Sequence, residues 1–448
     1  MANILLIVYD NGSRIPFFPQ GIAYIAAQAS KDGHNVDVLC QDIYRQPDTA
    51  ITQILNSFKY DVVGLGFCAG YYQYRKCKSI AEAINRSKNR SKFKFVLGGH
   101  GPAGSPEFFI DKFDADHVVY GPGEFFMDDL NDPDHVIYSD RYHNIDNYEW
   151  PDYANFPIDI YKRISWPTSK PSDFCMPVLS GRGCPYKCTF CFRMDEGFRP
   201  RSPEAVIDEM EYLWRNHQVN HFQFSDELLM SSSGRTVEFC ESIIRSKLFK
   251  ECKNLKWDCN GRLNFAIPEV LTLMKKAGCE YVNYGVEALD NEVLARMNKK
   301  LTVEKITTGV EATLKAGLVP GLNILWGSIG DTVETLDKGV SFLHKYDTCA
   351  ELRTIRPVAP YPGTELYKYA VENGLIKDAE DFYENKHTNS DLFTCMLMDM
   401  DMDDAHLQLC AANGSLYINY LSAKNSDMIE ATSKFYQNGG EFRGFREV

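Results

Sequence analysis

The stretch SGRGCPYKCTFCF sets Cys184, Cys188 and Cys191 in one glycine-led loop with the spacing Cys-x3-Cys-x2-Cys. Thiols this close are candidate metal ligands, and their number narrows the choice. A structural zinc site asks for four closed ligands, usually as two separated pairs, and no second Cys-x2-Cys pair occurs in the chain. Cys175 is near, but it stands before the apolar strand that leads into the loop. A disulfide would leave one thiol over and needs an oxidising compartment. An iron–sulfur cube is normally held by four cysteine thiolates, so three would leave one iron open to a small molecule.

The rest of the chain must position that loop. Its 448 residues exceed one ordinary core and point to two domains. An apolar content of 44% with 24% charged residues is that of a soluble globular protein. A formal net charge of −13 argues against a nucleic-acid partner, which needs a basic surface. The basic run NRSKNRSKFK reads as the solvated end of a helix. MANILLIVYD lacks a basic leader and a cleavage site, and no run reaches the ~18 apolar residues of a membrane span. Fourteen cysteines without an export signal imply reduced thiols and a cytoplasmic location. Those inside apolar runs, such as Cys40, Cys68 and Cys259, are expected to be buried core thiols.

From the start to residue 135, strand and helix patterns alternate. NILLIVYD, NVDVLC, DVVGLGFC, KFVLGGH and DHVVYG read as strands, the first apolar throughout as a strand buried on both faces should be. GIAYIAAQASKDGH reads as a helix with Ile22, Ile25, Ala26 and Ala29 on its buried face and Gly33 as its stop. The pattern predicts a doubly wound, Rossmann-like α/β domain that binds ligands at the carboxyl ends of its strands. Those ends are rich in glycine (GLGFCAG, LGGHGPAG, YGPGE), which lets backbone approach a ligand.

PFFPQGIAYIAAQASKDGHNV, GLGFCAG, LGGHGPAGSPEFF and DHVVYGPGEF, in that order and spacing, resemble the cobalamin-binding domain that precedes many radical S-adenosylmethionine (SAM) enzymes. The resemblance implies a cobalamin site along Pro19, Gly21, Gly70, Gly98, Gly99, His100, Gly121, Gly123 and Glu124. One departure stands out. Cobalamin domains of the Asp-x-His-x-x-Gly type ligate cobalt through a histidine after the first strand, whereas YDNGSRIPFFPQG holds none. Members of the radical family that lack this ligand leave cobalt without a lower protein ligand.

Residues 136–172, rich in Pro, Asp, Asn and aromatics, read as a connector. The loop of three cysteines then resembles the defining motif of the radical SAM superfamily. That resemblance implies a [4Fe-4S] cluster on Cys184, Cys188 and Cys191, with SAM chelating the fourth iron and Phe190 beside its adenine. RSPEAVIDEMEYLWRNHQV independently reads as a helix with Ser202 as N-cap, Pro203 at its first position and Val206, Met210, Leu213 and Trp214 on its buried stripe. Counting the strand before the cysteines, six β/α units run from about residue 175 to 365, giving a partial (β/α)6 barrel over 173–370 with chemistry at the strands' carboxyl ends. Polar residues cluster at those ends. The family pattern assigns Asp226 and Glu227 to the SAM ammonium and Asn260, Arg262 and Glu287 to its carboxylate and ribose, with Asn323 on the fifth strand also placed at the SAM site and Arg356 near the end of the sixth. GSIGDTVET resembles the family's Gly-x-Pro-Gly-Glu-Thr turn but lacks the proline and has Asp331 for Glu. Residues 371–448 resemble no named segment and are expected to form a small α-rich piece that covers the barrel mouth and shapes the substrate pocket. Within them MLMDMDMDDAHLQL reads as a capped, acidic helix start.

The function implied is reductive cleavage of SAM to a 5′-deoxyadenosyl radical that attacks an unactivated carbon of a small molecule, followed by methyl transfer from cobalamin. An alternative keeps the radical without the methyl: a cyclase, oxidase or dehydratase, with cobalamin redox-active or absent. Modification of tRNA or another macromolecule ranks third, because the tail is acidic and Cys40, Cys68 and Cys77 are scattered. No particular residue is assigned as the catalytic acid or base. A one-electron reductant such as flavodoxin or ferredoxin is the implied partner.

Overall fold

The computed structural model describes all residues except 13–15, 69, 132, 140–143, 195–196 and 438–448. Its first sheet contains β1 (Asn3–Val8), β2 (Asn35–Cys40), β3 (Val62–Gly66), β4 (Lys94–Gly98), β5 (His117–Tyr120) and β6 (Val136–Tyr138). They run parallel in the order β2-β1-β3-β4-β5-β6. The order reverses between β1 and β3, which opens a crevice at their carboxyl ends. β6 lies in the stretch read as connector, where Pro and Asp mask a strand of only three residues. β1 is apolar because both faces are covered, and Ile4 to Val8 are all buried. Helix Gln20–Lys31 buries Ala23, Ala26 and Ala29 on the sheet, but Ile22 and Ile25 stay half-buried because they face a cavity.

The second sheet begins with β7 (Cys175–Val178), followed by a small antiparallel hairpin of β8 (Gly181–Arg182) and β9 (Arg199–Pro200). It continues through β10 (His221–Phe224), β11 (Lys256–Gly261), β12 (Cys279–Glu287), β13 (Val319–Trp326) and β14 (Arg356–Pro357). The strands run parallel in the order β14-β13-β12-β11-β10-β7, and the sheet curls through 192° into a half-barrel. Its return helices start on side-chain caps, except Pro268–Lys276, which follows Ile267 and has none. Ser202, Ser232, Thr302, Thr332 and Thr364 each accept a backbone N–H from the first turn of the helix they precede.

A half-barrel leaves an edge, and here the last helix, Met402–Gln437, covers it. Asn413 accepts from Ile355 N at 2.8 Å and donates to Ile355 O at 2.9 Å, so one side-chain amide replaces a neighbouring strand. Asp401 caps that helix by accepting from the backbone N–H groups of Asp403 and Asp404, as the acidic start implied.

The chain beyond β14 divides its contacts. Leu366, Ala370, Phe382 and Tyr383 join the core of the first domain beside Tyr74 and Phe109, while Phe393, Ala405 and Leu409 join the barrel core. Tyr383 stacks on Tyr74 at 4.8 Å. Next to it Glu384 accepts from Tyr74 Oη and Lys78 Nζ, each at 2.6 Å, and pairs with Lys112 at 3.2 Å. Burial alone would raise the Glu384 carboxyl, but the hydrogen bonds from Lys78, Tyr74 and Lys112 take it from 4.5 down to about 2. A depressed acid stabilises the fold above its unfolded pKa and loses that contribution as pH falls through the folded one. Glu384→Gln is therefore expected to cost ~1.5–3 kcal/mol at neutral pH, the worth of hydrogen bonds to a charged group. In denaturant melts the gap to the parent should close as pH drops from about 4.5 to about 2.

Candidate functional site

The cysteine loop leaves β7 through Ser180 and the β8 hairpin. Asp226, fully buried at the end of β10, accepts from Ser180 N at 2.6 Å and from the Ser180 hydroxyl. Burial raises the Asp226 carboxyl to about 6. Glu227 Oε2 accepts from Gly183 N at 3.0 Å, and Gly183 takes φ +82°, which favours glycine. Beyond Cys184 the loop has no regular structure and is held from outside. Thr189 N donates to Met297 O at 3.1 Å, Leu366 N to Thr189 O at 3.0 Å, and Asn298 Nδ2 to Lys187 O at 2.5 Å. Gly363 (φ +90°) lies so close that a Cβ there would stand 2.6 Å from the Phe192 ring.

Three thiols are thus fixed on a short, clamped loop. A hydrogen bond from Cys191 pulls the Cys188 thiol down to about 6; burial opposes this, and Lys299 and Arg262 reinforce it. The same bond pushes Cys191 up, and burial raises Cys184. A thiolate at neutral pH is the form that binds iron. Among the described residues no three His, Cys, Asp or Glu side chains close on a single point as a lone ion requires. A cubane offers a separate iron to each thiolate and makes no such demand. His217 and His221 have the spacing of a zinc pair, a pattern that sequence reading passed over. His221, however, is wholly buried and pairs with Asp258 at 2.9 Å and Ser169 at 3.2 Å.

Around the loop the barrel presents charge selectively. Arg262 is buried, stacks on Tyr186 at 3.6 Å and donates from Nε to Asn264 at 2.8 Å, while its Nη2 is left without a partner. Glu287 adopts φ +65°, uncommon for a side chain of its size, and accepts from Lys299 Nζ at 2.7 Å. Gly285 makes room for the pair, since a Cβ there would lie 2.1 Å from Glu287 Oε1. Lys299 is buried, and its ammonium is 6.0 Å from the Phe190 ring. Sequence reasoning missed Lys299, because a lysine in the short link RMNKKL carries no periodic signal.

Asn260 and Asn323 sit lower and spend their amides on one another's neighbours. Arg353 Nη1 donates to Asn323 Oδ1 at 2.9 Å, Asn323 to Asn283 at 2.9 Å, Asn283 to Asn260 at 3.0 Å, and Asn260 to the Asp226 carbonyl at 2.7 Å. Arg356 pairs with Asp391 of the C-terminal segment. Asp331, in the turn without proline, accepts from Gly327 N, Ser328 N and Thr335 Oγ1 and shapes the end of β13.

Between the two sheets lies a cavity of about 580 Å³. Pro19, Gly21, Gly98, Gly99 and His100 line it from the first domain, as do Gly121, Gly123 and Glu124. Leu179, Arg182, Ser225 and Glu227 line it from the half-barrel. Gly70 stands instead at the start of helix Tyr71–Asn85. A Cβ on Gly98 would meet nothing within 4 Å, whereas at Gly99 (φ +91°) it would lie 2.7 Å from Phe67 O. The inner wall is apolar, with Leu6 and Val8 facing Ile22 and Ile25. Cys68, expected in the core, is solvent-accessible because it lines this cavity. His100 and Phe192 meet edge to face at 6.3 Å, bringing a cavity residue against the residue that follows Cys191.

The family models agree with this division. Residues 14–130 match the B12 binding domain and 178–343 match the radical SAM superfamily. The chain is a cobalamin-binding radical SAM protein. An uncharacterized methyltransferase of Pyrococcus horikoshii is 26% identical over 80% of this chain and 79% of its own length. The anaerobic magnesium-protoporphyrin IX monomethyl ester cyclase of Rubrivivax gelatinosus is 24% identical over 81% of this chain and 68% of its own length. The solved radical SAM methyltransferase TsrM of Kitasatospora setae has the same fold, with a TM-score of 0.67 at 18% identity over 83% of this chain and 76% of that one. Membership implies a [4Fe-4S] cluster, SAM and cobalamin as the cofactors of this radical SAM enzyme. Among the described residues no helix is long and apolar enough to cross a membrane.

The open space at Gly98 makes a direct test possible. Gly98→Phe should fill the cavity, and since overpacking costs ~1–3 kcal/mol, cobalamin retained after gel filtration should fall by roughly tenfold or more. The melting temperature of the cobalamin-free protein should stay where it was. Cys188→Ser should lose the iron and the charge-transfer absorbance of the cluster while leaving cobalamin retention intact.

Proposed function

We propose that this chain is a cobalamin-dependent C-methyltransferase acting on an unactivated carbon of a small or medium-sized molecule. The observation that carries the reading is the shared cavity. Glycine-lined ends of β4 and β5 form one wall and the residues next to the cysteine loop form the other, so a methyl carrier and a SAM-bearing cluster would face each other across one space. The methyltransferase names among its relatives support the same reading.

When bound, the cluster and SAM supply a one-electron route to a hydrogen-abstracting radical, and cobalamin supplies the methyl group. The chain's own residues bind and orient. Cys184, Cys188 and Cys191 would hold three irons. Arg262, with a buried unpartnered N–H, offers a donor to the SAM carboxylate, and Glu227 offers an acceptor to its ammonium. Phe190, packed near Lys299, offers the adenine an apolar face. Glu287 and Lys299 neutralise each other and keep net charge low beside the thiolates. On the cobalamin side, Gly98 lets backbone approach the corrin, while Leu6, Val8, Ile22 and Ile25 exclude water from the inner slot. A small acidic electron carrier such as flavodoxin or ferredoxin would supply the reducing electron.

The test is anaerobic purification with iron, sulfide and cobalamin supplied, then reduction in the presence of methyl-labelled SAM and candidate substrates. S-adenosylhomocysteine together with 5′-deoxyadenosine and label in the substrate is the expected outcome. 5′-Deoxyadenosine alone would transfer the assignment to cyclase-type chemistry, which the similarity to the Rubrivivax gelatinosus enzyme favours over any third reading.

A further inference from the structure

One ion pair joins the two domains at the cavity wall. Arg182 lies on β8, two residues before Cys184, and its Nη2 meets Glu124 Oε1 in the turn after β5. The contact is dry, with side-chain exposures of 15% for Arg182 and 4% for Glu124. The guanidinium also lies 5.3 Å from the ring centres of both Tyr24 and Tyr148, which leaves it little freedom. The turn is fixed in its turn by Gly121 (φ +106°), where a Cβ would lie 2.4 Å from Ser139 O. On the barrel side, Glu227 holds the next residue of the hairpin through Gly183 N. The hairpin that leads into the cysteines is thus gripped by one carboxylate from each domain, and both line the cavity.

Glu124 is not fully used. Its Oε1 belongs to Arg182, but Oε2 is buried and accepts no hydrogen bond. A buried carboxylate oxygen without a donor calls for one from a ligand. The rim of a corrin carries carboxamides, whose N–H groups are donors of that kind.

We propose that Glu124 and Arg182 couple the two cofactor sites. Glu124 Oε2 takes an N–H from a corrin-rim carboxamide, and Arg182, as a positioning residue, passes the resulting constraint to the hairpin that sets Cys184. The inference rests on cobalamin occupying this cavity and goes beyond it. Coupling is reciprocal, so cobalamin must tighten the cluster by the factor by which the cluster tightens cobalamin.

The test uses the full chain with its cluster reconstituted anaerobically. Release of iron to a chelator and the electron paramagnetic resonance of the reduced cluster are followed with and without hydroxocobalamin. In the parent, saturating cobalamin should slow iron release by roughly 5-fold or more and shift the g-values. In Glu124→Gln, Oε1 can still accept from Arg182, but an N–H donor replaces the free acceptor. Cobalamin should then bind more weakly, and the cluster should no longer respond at saturation. Arg182→Met should bind cobalamin yet show no response, and Arg182→Lys should recover part of it; these two variants decide the matter if Glu124→Gln does not fold. If cobalamin binds the parent and the cluster signals do not move, the coupling is wrong while the cofactor reading stands. If the parent binds no cobalamin, both fall. A Glu124→Gln or Arg182→Met protein that responds like the parent overturns the coupling alone.

Discussion

Three thiols must be held in place together by a stretch of chain that makes almost no structure of its own, and much of the molecule can be read as a response to that constraint. Between the hairpin and Phe192 the backbone satisfies few of its polar groups internally, so neighbours supply them: Met297 and Leu366 at Thr189, Asn298 at Lys187, Glu227 at Gly183. These partners come from β10, from the link after β12 and from the helix after β14. The loop is therefore correct only when the barrel has closed from its second strand to its last. A loop held in this way is rigid without being buried, which a site open to a second ligand needs.

The same constraint explains the placing of the chain's end. A half-barrel with a free β14 edge and a separate domain stacked on its mouth would hinge. The C-terminal segment removes both freedoms, because Tyr383 and Glu384 lock onto the helices of the first domain and Asn413 completes the edge at Ile355. Its position against the outer helices, as well as at the barrel, makes it a brace between cofactor domains. A cavity shared by two domains keeps its width only while the domains keep their spacing, and small displacements are costly wherever reacting groups must be aligned.

Much of this was legible in the sequence because it rests on local rules. The buried run of β1, the serine and proline at the start of helix Pro203–His217, and the cysteine spacing each declare themselves within a few residues. What was not legible depends on surfaces facing empty space or on distant partners. Ile22 and Ile25 have the periodicity of core residues, and Cys68 sits in an apolar run, yet all three border a cavity. Periodicity reports which face turns inward, not whether that face meets packed protein or the wall of a cavity. Lys299 and Asn283 were invisible for the opposite reason: their roles exist only through Glu287, Asn260 and Asn323, which lie on other strands or links.

The asparagine series deserves a physical reason for being amide and not charged. Each amide from Asn323 through Asn283 to Asn260 donates in the same sense, and the run ends on the carbonyl of Asp226, whose carboxylate fixes Ser180 at the root of the cysteine loop. Aligned dipoles polarise one another, so the orientation set by Arg353 at one end is favoured along the whole floor. Carboxylates in these places would repel each other and the thiolates; aliphatic side chains could not carry an orientation. With the floor's hydrogen bonds largely consumed in this way, hydrogen-bonding capacity remains nearer the cysteines, where the Nη2 of buried Arg262 has no partner. The barrel thus separates the amides that keep its shape from the side chains beside the cysteine loop, and it does so by height along the strands.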